Sequence, residues 1–200
     1  MNGIRVIVRG GGDIATGTIY HLYQCGFQVL ILECAQPTAI RRKVAFCEAV
    51  YDGTATGEGV CCRRILDLSE CDSVWVNGEL PLLIDPAGDA IPEFQPSALV
   101  DAILAKQNLG TNRSMAPLTI ALGPGFTAGE DVDAVIETMR GHNLGRIIRQ
   151  GSALPNTGVP GLIAGESARR VIHAPASGVI RNLADISDLV QEGEVIARIG

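Results

Sequence analysis

Apolar positions at the start of the chain predict a strand, a helix and a second strand in succession. Residues 4–9 form a short apolar run that leads into three consecutive glycines, and residues 28–33 form another such run. Between them, apolar residues recur at helical spacing over residues 14–25, and Gly26 is suited to end that helix. A strand, a helix and a strand within about thirty residues make up the βαβ unit of a parallel sheet.

The rest of the pattern predicts further elements of an α/β domain and then a β-rich tail. Helices are predicted over residues 38–50, 97–106 and 131–140, and strands over residues 60–64, 74–76, 80–84, 119–122 and 145–148. The pair Asn77-Gly78 is interpreted as a hairpin turn between two of these strands. From residue 171 onward, short apolar runs broken by proline and glycine predict a small all-β unit.

The predicted fold class is therefore α/β, a Rossmann-like domain with a mainly parallel sheet followed by a partial β-barrel-like C-terminal segment. The predicted boundaries are a nucleotide-binding domain over residues 1–115, a second α/β segment with Gly-rich loops over residues 116–170, and the β segment over residues 171–200.

The glycine cluster after the first strand fits the spacing of a dinucleotide-binding loop, G-x-G-x-x-G/A. Gly10 permits the tight turn, Gly11 lies between, and Gly12 lets the backbone approach a pyrophosphate. Ala15 lets the helix pack closely on the strand, and the N–H groups at the helix start can hold the anion. The alternative is a tight glycine turn in a domain that binds no ligand.

Two acids frame this loop with opposite consequences. Glu33 ends the second strand, where a carboxylate accepts hydrogen bonds from a ribose 2′-hydroxyl and favours NAD-type over NADP-type ligands. Asp13 places a negative charge in the loop and could instead cap the helix. Arg9, at the end of the first strand, is suited to offset Asp13 or to contact a ligand.

Other groups extend the predicted binding site. Arg41 and Arg42 begin the densest positive cluster of the chain, which either binds an anionic ligand or forms a solvated helix face. Gly123 and Gly125 form a second glycine loop ahead of the helix predicted over residues 131–140, although Glu130 and the two aspartates that follow it disfavour phosphate there.

His142 and Glu137 are the acid or base candidates for catalysis, and the sequence assigns neither of them a partner. An exposed or structural histidine is the alternative.

Composition excludes several classes of partner. With a net charge of −6 and 4% aromatic residues, the chain lacks the basic excess and the stacking groups that nucleic-acid binding needs. Apolar runs too short to cross a bilayer indicate no membrane partner and a cytoplasmic protein. The six cysteines are interpreted as reduced, mostly buried thiols and no metal site is predicted, with a soft-metal or redox site at Cys61-Cys62 as the alternative.

Several segments together resemble the YqeB-type family, the selenium-dependent molybdenum hydroxylase accessory proteins. The segments that carry the resemblance are RGGGDIATG at residues 9–17, IRRKVAF at 40–46, ALGPGF at 121–126, VIETMRGHNLGR at 135–146 and NTGVPG at 156–161. The resemblance implies a role in maturing or inserting the molybdenum cofactor into a client hydroxylase. Members of the family are longer, so the chain is expected to be C-terminally truncated relative to them.

The tail has a resemblance of its own. Residues 174–180 and 190–196 look like the first half of a biotinyl/lipoyl-type barrel, and because no lysine follows Lys106 the tail cannot serve as a lysine-linked carrier.

Three functional hypotheses follow. The first is an accessory protein that binds a nucleotide-containing cofactor, with a molybdopterin dinucleotide or NAD as candidates. The second is an NAD-dependent oxidoreductase, and the third is a non-enzymatic protein-interaction module.

Overall fold

The computed structural model describes residues 3–158, 165–166 and 171–200. The chain divides into two compact units, Met1–Asn156 and Thr157–Gly200. The boundary predicted at residue 170 falls among residues 167–170, which lie outside the described residues together with residues 159–164.

The first unit is an α/β domain built on a sheet of nine strands. The strands of the described chain are β1 Arg5–Arg9, β2 Gln28–Glu33, β3 Thr54–Gly57, β4 Val60–Ile65, β5 Leu80–Ile84, β6 Ala98–Asp101, β7 Thr119–Leu122, β8 Thr127–Ala128, β9 Ala134–Ile136, β10 Ile147–Ile148, β11 Gly151–Ser152, β12 Ile180–Asn182 and β13 Ala197–Ile199. The helices are α1 Asp13–Gln24, α2 Ala49–Asp52, α3 Cys71–Val76 and α4 Ile91–Phe94, with short 3-10 helices at Arg42–Val44, Phe46–Glu48, Leu68–Glu70 and Arg113–Met115.

The strand order in the large sheet is β10-β9-β7-β6-β1-β2-β5-β4-β3. The seven strands from β9 to β4 pair in parallel, and antiparallel pairs occur only at the two edges, β9 with β10 and β3 with β4. This confirms the prediction of an α/β fold with a mainly parallel sheet, consistent with a Rossmann-like domain.

The two central strands are buried on both faces, which explains their unbroken apolar sequence. Val8 and Ile31 face a core that includes Ala15 and Ile19 of α1, whereas Ile7 and Leu30 face a second core under α3 and α4. All six of these residues are fully buried. The predicted first βαβ unit is confirmed by β1, α1 and β2.

The predicted helix over residues 97–106 is wrong, because this segment contains the central strand β6 instead. Its apolar run fits a buried strand and a buried helix equally well by periodicity alone. The tertiary structure selects the strand, because β6 lies between β1 and β7 and pairs in parallel with both.

The predicted helix over residues 131–140 is also wrong for a related reason. Residues 134–136 form β9, which pairs in parallel with β7. Asp133, the residue before β9, is bonded to the neighbouring strand β7. Its Oδ2 accepts hydrogen bonds from the N–H and the hydroxyl of Thr119, both at 2.9 Å.

The predicted hairpin at Asn77-Gly78 is wrong as well, because residues 71–76 form helix α3 and β4 and β5 are parallel. Gly78 has a positive φ of 74°, and its N–H bonds to the carbonyl of Trp75 at 2.9 Å. The next N–H, of Glu79, bonds to the carbonyl of Val74 at 3.0 Å. This is the Schellman ending of a helix, which uses the same Gly signal as a hairpin.

The helix predicted over residues 38–50 is replaced by the two 3-10 turns and α2. The N–H of Cys47 donates to the carbonyl of Gly11 at 2.8 Å, and the N–H of Phe46 donates to the hydroxyl of Thr16 at 2.9 Å. These bonds hold the segment against the first glycine loop. In a continuous helix, the same N–H groups would bond to carbonyls of that helix instead.

The second unit contains an antiparallel pair, β12 with β13, in which Ile180 lies opposite Ile199. The arrangement of a partial barrel stays a prediction. No helix among the described residues is long and apolar enough to cross a membrane.

Candidate nucleotide-binding site

The predicted glycine loop lies at the centre of the carboxyl edge of the sheet. It follows β1, which pairs in parallel with β2 on one side and β6 on the other, so the chain order reverses at this strand. The crevice outside the carboxyl ends at such a reversal is where open α/β sheets bind ligands.

Gly10 makes the tight turn out of β1. Its φ of +95° lies in the region that favours glycine, and its N–H bonds to the carbonyl of Leu32 at 2.7 Å. A Cβ at this position would lie 2.9 Å from the carbonyl oxygen of Ala102 and 2.9 Å from the Cα of Ile103. Only glycine therefore allows the loop after β6 to approach this closely.

Gly11 is fixed from three directions. Its N–H donates to Oε2 of Glu33 at 2.8 Å. Its carbonyl accepts from the N–H of Cys47 at 2.8 Å and from the hydroxyl of Thr16 at 3.2 Å. These contacts with Glu33, Cys47 and Thr16 fix the middle residue of the loop.

Gly12 is the open point of the loop. It is the N-cap of α1 and has no side chain with which to cap the helix, and apart from its two chain neighbours no described residue has an atom within 4 Å of the position that a Cβ would take. Ala15, one turn further on, is fully buried in the core between helix and sheet. Backbone N–H groups of the first helical turn thus lie beside open space at Gly12.

The negative charge of Asp13 is neutralised by Arg41. The two side chains form an ion pair at the start of α1, with the Arg41 side chain 68% exposed. The other carboxylate oxygen of Asp13 accepts from the N–H of Ile14 at 2.9 Å, so one N–H of the first turn is already used. Arg42 begins the 3-10 helix that follows.

Glu33 is turned toward the glycine loop. Its Oε2 accepts from Gly11, as described, and its Oε1 accepts from the N–H of Cys34 at 2.7 Å. A carboxylate oxygen has room for a second donor, so both oxygens can still accept a hydroxyl.

Arg9, expected to offset Asp13 or contact a ligand, instead forms a buried polar bridge between β1 and β6. Its Nη1 donates to the hydroxyl of Thr111 at 2.5 Å, and its Nη2 donates to the carbonyl of Pro86 at 2.7 Å. The Thr111 hydroxyl donates in turn to Oδ2 of Asp101 at 2.6 Å. Arg9, Thr111 and Asp101 are each at most 2% exposed.

Burial raises the pKa of Asp101, against hydrogen bonds from Thr111 and Ile103 and the charge of Arg9, which lower it. Sequence reasoning missed this bridge because residues 97–106 were assigned to a helix. The signal in the sequence is a charged residue at the end of each of two apolar runs, Arg9 after the first and Asp101 after residues 98–100.

The second glycine loop does not form an anion cradle at a helix start, since no helix follows it. Gly123 is buried, and a Cβ there would lie 2.6 Å from the hydroxyl oxygen of Thr138. A Cβ at Gly125 would lie 2.7 Å from the backbone N of Gln107. Both glycines serve close packing between loops.

The two acid or base candidates differ in their burial. His142 is exposed in the turn after β9. Glu137 is 3% exposed, and its carboxylate accepts from the N–H groups of Met139 and Leu154, both at 2.8 Å. Burial acts to raise the pKa of Glu137, but these backbone hydrogen bonds hold it below its ordinary value.

The cysteines include two beside the glycine loop. Burial, together with the charge of Glu33, raises the pKa of Cys47 to about 12, and burial raises the pKa of Cys34. All six cysteines are free thiols, three buried, two half-buried and one exposed. Among the described residues, no three His, Cys, Asp or Glu side chains are grouped so as to hold a metal ion.

Substituting Glu137→Gln is expected to destabilise the first unit by about 1–3 kcal/mol at about pH 7, because an amide binds the two N–H groups less strongly than a carboxylate. The folded-state pKa lies below the ordinary value of 4.5, so this stabilisation is present above that value and is lost as the pH falls through the folded-state pKa. Urea unfolding at about pH 7 and about pH 3 measures both effects.

The matched control is Glu130→Gln, which removes an exposed carboxylate nearby. It is expected to change stability by less than about 0.5 kcal/mol at either pH. An equal loss in both variants, or a pH-independent loss at Glu137, would contradict this role.

Substituting Thr111→Val is expected to cost about 1–3 kcal/mol in the free energy of unfolding, because it leaves buried groups of Arg9 and Asp101 without their shared hydroxyl. Thr111→Ser keeps the hydroxyl and is expected to retain most of the stability. Urea unfolding of both variants tests the bridge, and a loss of stability in Thr111→Ser as large as that in Thr111→Val would contradict the role given to the hydroxyl.

Comparison with known proteins gives one strong similarity. The chain is 54% identical over 195 residues to a protein of Escherichia coli K12 that bears the name "Uncharacterized protein YqeB", and the match covers 98% of this chain and 36% of that protein. No family model matches the chain, and no solved structure matches it. The chain thus spans about a third of the length of the curated relative, and over nearly all of its own length this similarity supports the resemblance to YqeB-type proteins.

Proposed function

We propose that the chain binds a nucleotide-containing ligand at the carboxyl edge of β1 and β2. The observation that carries the proposal is the open space at Gly12, at a helix start whose N-cap residue has no side chain and where Asp13 takes up the N–H of Ile14. Helix starts of this kind hold phosphate groups through backbone N–H groups and the positive end of the helix dipole.

Charges around the loop suit such a ligand. Arg41 forms an ion pair with Asp13, the first residue of α1, so its exposed guanidinium lies at the helix end where a phosphate would bind. This ion pair also offsets the negative charge of the Asp13 carboxylate, which would otherwise repel a phosphate.

Glu33 supplies the second point of recognition. Its carboxylate is held at the end of β2 by Gly11 and Cys34, on the side of the loop away from β6. There it accepts a ribose hydroxyl and disfavours a 2′-phosphate.

We propose further that the protein is a cytoplasmic accessory factor in the maturation of selenium-dependent molybdenum hydroxylases. The support is the sequence resemblance and the 54% identity to the Escherichia coli protein, whose printed name states no activity. The client hydroxylase is the proposed partner, and a molybdopterin dinucleotide and NAD are the candidate sources of the nucleotide. The C-terminal β segment, as a partial barrel, would serve protein contact.

The alternative of an NAD-dependent oxidoreductase receives less support. A hydride-transfer enzyme needs an acid or base beside the substrate. Glu137 is committed to backbone N–H groups, and His142 is exposed in the same connection between β9 and β10.

Substituting Gly12→Val is expected to weaken binding of ADP by roughly tenfold or more, because a branched side chain fills the space where phosphate meets the backbone. Isothermal titration calorimetry of ADP, CDP, GDP and UDP measures the loss for whichever nucleotide binds. The matched control is Gly17→Val, an exposed position of the same helix away from its start, which should leave the affinity unchanged. Unchanged affinity in a folded Gly12→Val protein would remove the site.

The accessory role predicts that protein purified gently and without oxygen retains a nucleotide-containing mass, with molybdenum or selenium. Native mass spectrometry with metal analysis measures this directly. A ligand-free protein that takes up NAD alone would favour the oxidoreductase, and a protein that ignores every nucleotide would favour an interaction module.

A further inference from the structure

We infer that the second unit pairs with the second unit of another copy of this chain. The contact joins a basic apolar face on β12 and β13 of one copy to the acidic loop between these strands in the other. This inference rests on the protein-contact role proposed for the C-terminal segment, and it names a second copy as the partner. It does not depend on ligand binding at the glycine loop.

The basic apolar face consists of four residues on two paired strands: Val179, Arg181, Leu183 and Arg198. Arg181 lies directly opposite Arg198 in the register of β12 and β13. The pairing continues beyond β12, since the N–H of Val179 donates to the carbonyl of Gly200 at 2.9 Å and the N–H of Leu183 donates to the carbonyl of Ile196 at 2.9 Å. Because side chains alternate between the two faces of a strand, these four lie on one face.

This face is exposed, and its positive charges are not balanced within the chain. Val179 is 78% exposed and Leu183 is 50% exposed, and both arginines are exposed as well. Like charges directly opposite each other on paired strands are destabilising. In the described part of the chain, no carboxylate forms an ion pair with Arg181 or Arg198. The face therefore suits a partner that carries both carboxylates and apolar side chains.

The loop between β12 and β13 has the complementary chemistry. Residues 183–197 contain four carboxylates and no basic residue. Leu189 is 98% exposed, and the exposed acids Asp188 and Glu192 lie on either side of it in the sequence. Oδ2 of Asp188 accepts from the N–H of Asp185 at 2.7 Å, which leaves its other oxygen for a further donor. The loop thus presents an apolar side chain between acids.

A second copy supplies the matching surface twice. In a two-fold symmetric dimer, the loop of each copy meets the face of the other, so the same contact forms at two places. Each contact brings guanidinium groups to carboxylates and covers exposed apolar side chains. A two-stranded hairpin is at best marginally stable by itself, and β12 and β13 are the strands of the described part of this unit. Pairing therefore stabilises both hairpins.

Sedimentation velocity of the full chain, at concentrations from about 1 to 100 μM, tests the inference. We expect twice the chain mass at the upper end, and a dissociation constant that rises roughly tenfold when salt is raised from about 0.05 to 0.5 M. A chain that stays monomeric throughout would overturn the inference. The nucleotide titrations measure the proposed ligand site separately, so the two failures are distinguishable.

Charge reversal identifies the surfaces in contact. Arg181→Glu with Arg198→Glu makes the face acidic, and Asp188→Arg with Glu192→Arg places positive charges on both sides of Leu189. Each double variant alone is expected to sediment as a monomer. An equimolar mixture restores opposite charges at both contacts and is expected to sediment at twice the chain mass, which also shows that both variants are folded.

A mixture that stays monomeric, or a double variant that dimerises by itself, would place the association on another face and overturn the inference. The matched control is Arg140→Glu with Arg149→Glu, which makes the same change in net charge at two exposed arginines of the first unit. It is expected to leave the dissociation constant unchanged. An equal loss in this control would assign the effect to net charge and would also overturn the inference.

Discussion

The parallel pairing of β1 with both β2 and β6 is the constraint on which the rest of the molecule depends. It brings the carboxyl ends of three strands to one edge, although β6 is distant from β1 and β2 in the sequence. The glycine loop, Glu33 and Asp101 are all end residues of these strands or follow them directly. The candidate site is therefore a product of strand order more than of any single motif.

Close backbone approach explains why the loop carries three glycines. Gly10 and Gly11 are needed for protein contacts, because a notional Cβ would lie 2.9 Å from the carbonyl oxygen of Ala102 and 3.0 Å from the backbone N of Cys47 respectively, closer than ordinary van der Waals contact. Gly12 has no such neighbour among the described residues. Packing therefore does not require glycine at position 12, and the proposed function gives that position a role as the point where a ligand would approach the backbone.

The charged residues near the site divide into two kinds. Arg9 and Asp101 are fully buried and satisfied through Thr111, so they set the positions of the strand ends and of the loop after β6. Arg41 is exposed and Asp13 partly exposed, so in the proposed function their ion pair is free to exchange partners with an anion. Glu137, which the sequence offers as an acid or base, belongs with the first kind because it holds backbone N–H groups together.

The sequence by itself determined the first βαβ unit, since β1, α1 and β2 are encoded by local apolar patterns and by the glycines that punctuate them. It also identified the glycine loop and Glu33, whose positions follow from that unit. Only the tertiary structure decided that residues 98–101 and 134–136 are strands, that residues 71–76 are a helix, and that Arg9 is buried. The physical reason is that a short apolar run satisfies helix and strand patterns alike. Partners from distant parts of the chain, such as β1 and β7 for β6, supply the hydrogen bonds that settle the choice.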